Sequence, residues 1–124
     1  MKESKTKIGK EGEIAARSFL EKRGYRILHA NWHFHHFELD MVAEKDGELV
    51  VVEVKTRSVN YLVAPEDAVD AGKIRRIVQA ADAYARLFNV ELPVRFDIVA
   101  LIKDAEGNYQ VEEHIEDAFY APVK

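Results

Sequence analysis

The sequence contains no cysteine. Disulfides and thiolate zinc sites are therefore excluded, and the absence fits a reducing, cytoplasmic setting. No apolar run reaches the length that spans a membrane. The segment Met1 to Lys7 is charged and lacks the apolar stretch of a secretory signal, so none is expected. Internal repeats, low-complexity tracts and Pro/Gly/Ser-rich linkers are also missing. The 124 residues are thus expected to form one domain, 1–124, with a loosely packed tail over 116–124. Positive charge is not in excess either. Eighteen Lys and Arg stand against 22 Asp and Glu, a formal net charge of −4. Broad electrostatic wrapping of DNA normally needs a basic surface. A carboxylate-built metal site beside a local basic patch is compatible with an acidic total.

What is present reads as alternating helix and strand. A helix starts between Thr6 and Gly12 and stops at Gly24, with Ala16, Phe19 and Leu20 on its apolar face. Tyr25 to Ala30 is a short strand. Phe37 to Glu44 and Leu49 to Arg57 are two strands around Asp46-Gly47, a strong hairpin pair. Ser58 to Val63 is a loop, and Pro65 opens a turn or short helical segment. A long helix runs from about Gly72 to Phe88, with Ile74, Ile77, Val78, Ala81, Ala85 and Phe88 at helical spacing. Val94 to Ile102 is a strand, and Gly107-Asn108 turns into a last strand, Tyr109 to Ile115. The strand–helix–strand unit implies a right-handed parallel crossover, and the two turns imply antiparallel hairpins. The expected fold is α/β, a mixed sheet of about five strands flanked by helices.

The first hairpin also sets a register. With Asp46 and Gly47 as turn residues, Lys45 pairs with Glu48, Asp40 falls opposite Glu53, and Glu38 falls opposite Lys55. Alternation along each strand puts these four charged groups on one face. Val50, Val51, Val52 and Val54 mark the second strand as central and buried. Opposed like charges destabilise a sheet, and burying a carboxylate costs more unless it is compensated. A divalent cation between Asp40 and Glu53 removes the conflict, and oxygen ligands suit Mg²⁺ or Mn²⁺. A plain salt-bridge network could account for Glu38 with Lys55, but it leaves the Asp40–Glu53 opposition unexplained. Glu13 shares a helix face with Ala16 and Leu20. It is either an accessory carboxylate for this patch or a first-turn glutamate favoured by the helix dipole.

Asp40 followed by Glu53-Val54-Lys55 resembles the PD-(D/E)XK motif of restriction-endonuclease-like proteins and Holliday junction resolvases. Further segments extend the likeness: Gly12-Glu13, Gly24-Tyr25, Asn31-Trp32, Glu38-Leu39-Asp40, Val52 to Arg57, Ala68-Val69, Lys73, Arg76 and Arg95 to Val99. Together, and in this order over nearly the whole chain, they resemble the YraN family of small bacterial endonuclease-like proteins. The resemblance implies that Asp40 and Glu53 bind metal and that Lys55 assists the attacking water. Three positions depart from the usual pattern. Leu39, not proline, precedes Asp40, as is common in this family. Phe37 stands where glycine is usual, and is expected to tighten access to the metal. His33 stands where arginine is common, and weakens a phosphate contact.

Lys73 and Arg76 flank the apolar stripe of the long helix, near the end of the Glu53 strand. With Lys55, Arg57 and Arg95 they could line a cationic rim for phosphates, whereas Arg75 reads equally well as part of a solvated face. His29, His33, His35 and His36 suggest a second metal site, but no recognisable zinc spacing completes it, and a surface segment fits better. Trp32, Phe34 and Phe37 suit core packing better than base stacking. The leading expectation is a Mg²⁺- or Mn²⁺-dependent DNA endonuclease, with branched or flapped, single-strand-containing DNA as substrate by analogy with small resolvases. Its rivals are a non-cleaving nucleic-acid-binding module and a protein-interaction domain, homodimeric in one form, with a vestigial carboxylate patch.

Overall fold

Asp46 and Gly47 both take left-handed backbone angles, φ 49° and 80°, as a two-residue hairpin turn that follows strand twist requires. They join β2 (Phe37–Lys45) to β3 (Glu48–Ser58). The paired residues run from Lys45–Glu48 to Met41–Val52, the register expected from that turn. The computed structural model describes residues 5–58 and 70–119. Among these, α1 is Lys5–Lys22, β1 Arg26–Phe34, α2 Ala71–Leu87, β4 Val94–Lys103 and β5 Tyr109–Ile115. The expected loop after Ser58, the turn at Pro65 and the last five residues of the tail lie outside the described residues.

The sheet order is β1-β2-β3-β4-β5, with β3 and β4 parallel and every other neighbouring pair antiparallel. This is a mixed five-stranded α/β fold, consistent with a restriction-endonuclease-like architecture. β1 is longer than the sequence suggests. It continues to Phe34 and turns through His35-His36 into β2, with Phe34 paired to Phe37 and His33 to Glu38. The turn needs a positive φ at His35, 55°, a conformation that histidine signals poorly in sequence.

Each face of the sheet carries a helix. Ala16 and Leu20 of α1 pack on Met41, Ala43, Val50, Val52, Val99 and Leu101. Ile77, Ala80, Ala81 and Tyr84 of α2 pack on Leu39, Val42, Leu49, Val51, Phe96 and Ile98. Val52 and Val54 face α1, so Glu53 and Lys55 between and beyond them project to the α2 side. No helix among the described residues is long and apolar enough to cross a membrane.

α1 lies unusually close to β3 at one point. A Cβ on Gly12 would sit 2.0 Å from Thr56 Oγ1 and 3.2 Å from Thr56 Cβ. Rotating the threonine does not relieve the second contact, so the helix depends on glycine here to set the depth of its neighbour Glu13. Alanine is the better helix former by about 1 kcal/mol, yet Gly12→Ala is expected to lose ~1–3 kcal/mol through overpacking. Urea denaturation measures this. A gain in stability would show that α1 does not rely on the close approach.

Candidate functional site

The β2–β3 ladder ends at Met41–Val52, one step short of Asp40 and Glu53. At that point Asp40 Oδ2 accepts the Val54 N–H at 2.9 Å, so the side chain takes over a backbone donor. Asn31, which would face Asp40 from β1, is absent from the ladder and has φ 53°. The sheet is thus irregular on both sides of Asp40, and the carboxylate lies in the gap. Glu38, expected opposite Lys55, is half-exposed, with Oε2 3.7 Å from His33 Nε2.

Glu53 is 5% exposed and is not alone. Its Oε1 lies 2.7 Å from Lys73 Nζ and 3.4 Å from Lys55 Nζ. Lys73 reaches it from the first turn of α2, where the Asp70 side chain caps the helix by accepting the Lys73 N–H at 2.8 Å. The sequence places Lys73 on the rim; in the fold its ammonium is inside the cluster. Glu13 comes from the opposite helix. Its Oε2 is buried and has no hydrogen-bond partner among the described residues.

These contacts move the proton affinities apart. Burial, and then repulsion from Glu53, push Asp40 up to about 8, against the opposing Val54 hydrogen bond. Burial also raises Glu13; a hydrogen bond from Asn31 opposes this, and the nearby Glu38 and Glu53 add to it. Burial lowers Lys55, and the neighbouring Lys73 adds to the effect. Burial also disfavours the Lys73 ammonium, but attraction to Glu53 overcomes it and leaves Lys73 raised.

The other sequence candidates are placed differently. Arg57 pairs with Glu112 of β5, its Nε 3.0 Å from Oε2. Arg76 is exposed on α2. Arg95 is no rim residue: it donates two hydrogen bonds to buried Asp97, both 2.9 Å, and one to Tyr25 Oη at 2.7 Å. His29 Nδ1 bonds Tyr84 Oη at 2.7 Å, while His35 and His36 are exposed. Trp32 and Phe37 pack against the α2-side core. Among the described residues no three His, Asp or Glu side chains converge closely enough to hold a metal. Asp40 and Glu53 are two carboxylates close enough to repel each other, and a hard cation such as Mg²⁺ is commonly held by one or two carboxylates with water completing its shell. The partnerless Glu13 Oε2 is the further carboxylate oxygen whose charge is felt by this pair.

Residues 12–101 match the uncharacterised protein family UPF0102. The chain belongs to this family. A UPF0102 protein of Parabacteroides distasonis is 63% identical over 117 residues, covering 94% of this chain and 95% of the relative. Another, of Bacteroides thetaiotaomicron, is 54% identical over 116 residues, 94% of each chain. One of Porphyromonas gingivalis is 47% identical over 111 residues, 90% of this chain and 82% of the relative. The UPF0102 match spans Glu13, Asp40, Glu53, Lys55 and Lys73, so the whole cluster lies within the family's shared segment.

Asp40 supplies a pH signature. Its folded-state value of about 8 lies above the ordinary 3.8, so the folded chain holds this proton more tightly than the unfolded chain. The stability this contributes is complete below about pH 4 and is lost as pH rises through about 8. Asp40→Asn keeps an oxygen for the Val54 N–H but cannot ionise. In EDTA at pH 9 it is expected to raise Tm by about 3–6 °C, with the advantage shrinking toward pH 5. Thermal melts across this range test it. A variant less stable than wild type at pH 9 would mean that the ionised carboxylate supports the fold.

Proposed function

We propose that this protein is a Mg²⁺- or Mn²⁺-dependent endonuclease that hydrolyses DNA phosphodiester bonds, with branched or flapped DNA as the preferred substrate. The observation that carries the reading is the electrostatic opposition of Asp40 and Glu53 just past the last β2–β3 pair, with Lys55 on the Glu53 carboxylate. The acid, acid and lysine of the PD-(D/E)XK pattern are thus drawn from the two strands that the motif uses. Asp40 and Glu53 would hold the metal, and Glu13 would assist through water. The bound ion supplies Lewis acidity toward the phosphate and a lowered pKa for water. Lys55 Nζ orients the attacking water and donates to the phosphate oxygens as negative charge builds on them. Arg76, exposed on α2, would contact the flanking phosphates, and Arg57, already engaged by Glu112, would contribute less.

The second reading is a binding module that keeps the fold without cutting. It is favoured by one observation: the described residues contain no three-residue cluster already placed to hold a metal.

Cleavage of linear, flapped and branched DNAs with Mg²⁺, Mn²⁺ or EDTA separates the two, together with calorimetric metal titration. Lys55→Ala is expected to lower cleavage by about 10²–10⁴-fold while still binding Mn²⁺, because an ammonium cannot ligate. Asp40→Ala and Glu53→Ala should lose both. Arg76→Ala should weaken DNA binding and flatten its salt dependence. Wild-type protein that neither binds Mn²⁺ nor cuts any of these DNAs would sink the nuclease reading. Cleavage that survives both carboxylate changes would expose a contaminant.

A further inference from the structure

We infer that Lys73 is the site's own counter-cation: its ammonium neutralises Glu53 in the metal-free protein, is displaced when a divalent ion binds, and is thereby released toward the substrate phosphate. The inference rests on the proposed metal-dependent function and assigns Lys73 a positioning role within it.

Three observations lead there. Glu53 is almost fully buried, yet a single oxygen, Oε1, receives both Lys73 at 2.7 Å and Lys55 at 3.4 Å. Lys55 sits two residues along the same strand, on the same face as Glu53, so the strand itself holds it near. Lys73 is different. It belongs to another element and makes the shorter contact. A buried carboxylate needs a partner charge, and Lys73 supplies one from a side chain that can leave. Its backbone is pinned, because the Lys73 N–H is bonded to the Asp70 cap. Movement is therefore confined to the long, flexible side chain, which is about one-third exposed (31%).

A divalent ion on Asp40 and Glu53 would compete with this ammonium for the same carboxylate. Glu53 Oε1 already meets two ammoniums, and a divalent ion beside it would add a third cation of twice the charge, whose repulsion falls on the side chain freest to move. Lys73 would then swing outward from the start of α2, on the face where Lys55 also points. A phosphate drawn to the ion would meet it there. The metal-free protein thus keeps its carboxylates compensated and its ammonium engaged until the ion arrives.

Two measurements test this without relying on cleavage. Calorimetric Mn²⁺ titration at pH 7.5 compares wild type with Lys73→Met, which keeps most of the side-chain volume without the charge. Removing the competitor is expected to tighten Mn²⁺ binding about tenfold, the scale of one modest interaction lost from the free state. In wild type, acylation of lysines followed by peptide mass mapping should show Lys73 modified several-fold faster with Mn²⁺ than in EDTA. Mn²⁺ binding by Lys73→Met that is equal to or weaker than wild type overturns the inference and leaves the nuclease reading intact. Lys73 labelling that Mn²⁺ leaves unchanged does the same, and it decides the matter if Lys73→Met fails to fold. Wild type that binds no Mn²⁺ removes both the inference and the reading beneath it.

Discussion

Two carboxylates close together at the buried centre of a sheet must be neutralised, and the fold around Asp40 and Glu53 is organised by that requirement. Glu53 is answered by lysines from two elements, β3 itself and the start of α2. Asp40 is answered by a single backbone N–H and by a raised affinity for its own proton. The opening of the β2–β3 ladder at Val52 belongs to the same solution. A strand pair that stayed zipped would leave the Val54 N–H committed elsewhere, and the Asp40 carboxylate with nothing to accept.

Asp97 shows what a purely structural carboxylate looks like in the same molecule. It is fully buried, as Glu53 nearly is. It accepts two hydrogen bonds from Arg95, one contact from His114 at 2.8 Å and the Asp117 N–H at 3.0 Å. Burial works to raise its pKa, but these partners overcome it and the net shift is downward. Burial raises Asp40 too, repulsion from Glu53 adds to it, and the Val54 hydrogen bond does not offset them, so Asp40 ends shifted upward. The difference lies in satisfaction. Asp97 ties β4 to β5 and to Arg95 and needs nothing more, whereas Asp40 and Glu13 remain short of partners. Buried groups left short in this way are where a fold keeps capacity for a ligand.

Much of this was legible in the sequence because hairpin geometry is discrete. Asp46-Gly47 admits few turns, and a centred turn dictates every pair out to Met41–Val52. The helical stripe of α2 and the inward side of Glu13 followed from spacing alone. What the sequence could not convey was where the ladder stops. That depends on Asn31 in a left-handed conformation on β1 and on a side chain replacing a backbone acceptor, and neither has a periodic signature. The contact of Lys73 with Glu53 is hidden from the sequence for a related reason. Its position relative to Glu53 is set by the docking of α2 across the sheet, a tertiary relation that helical periodicity does not encode. Arg95 reads in sequence as a phosphate ligand for the same reason, since Asp97 and Tyr25 reach it only once the sheet is formed.

Charge balance then links the site to its proposed substrate. Glu13, Asp40 and Glu53 face Lys55 and Lys73, so with every group ionised the local sum is negative before any phosphate approaches, within a chain whose total is also −4. The site offsets its carboxylates with both ammoniums near Glu53 and with a raised proton affinity at Asp40. Bringing a phosphodiester into that arrangement adds an anion with no free cation at the centre to receive it. A divalent ion changes the balance twice. It would favour the ionised form of Asp40, and on the inference above it would free positive charge from Glu53 to face outward. On this reasoning the acidic net charge is not an obstacle to nucleic-acid chemistry in this fold. It would make productive phosphate binding conditional on the metal, since the same carboxylates that would repel an unaccompanied phosphate would be the ones to recruit the ion admitting it.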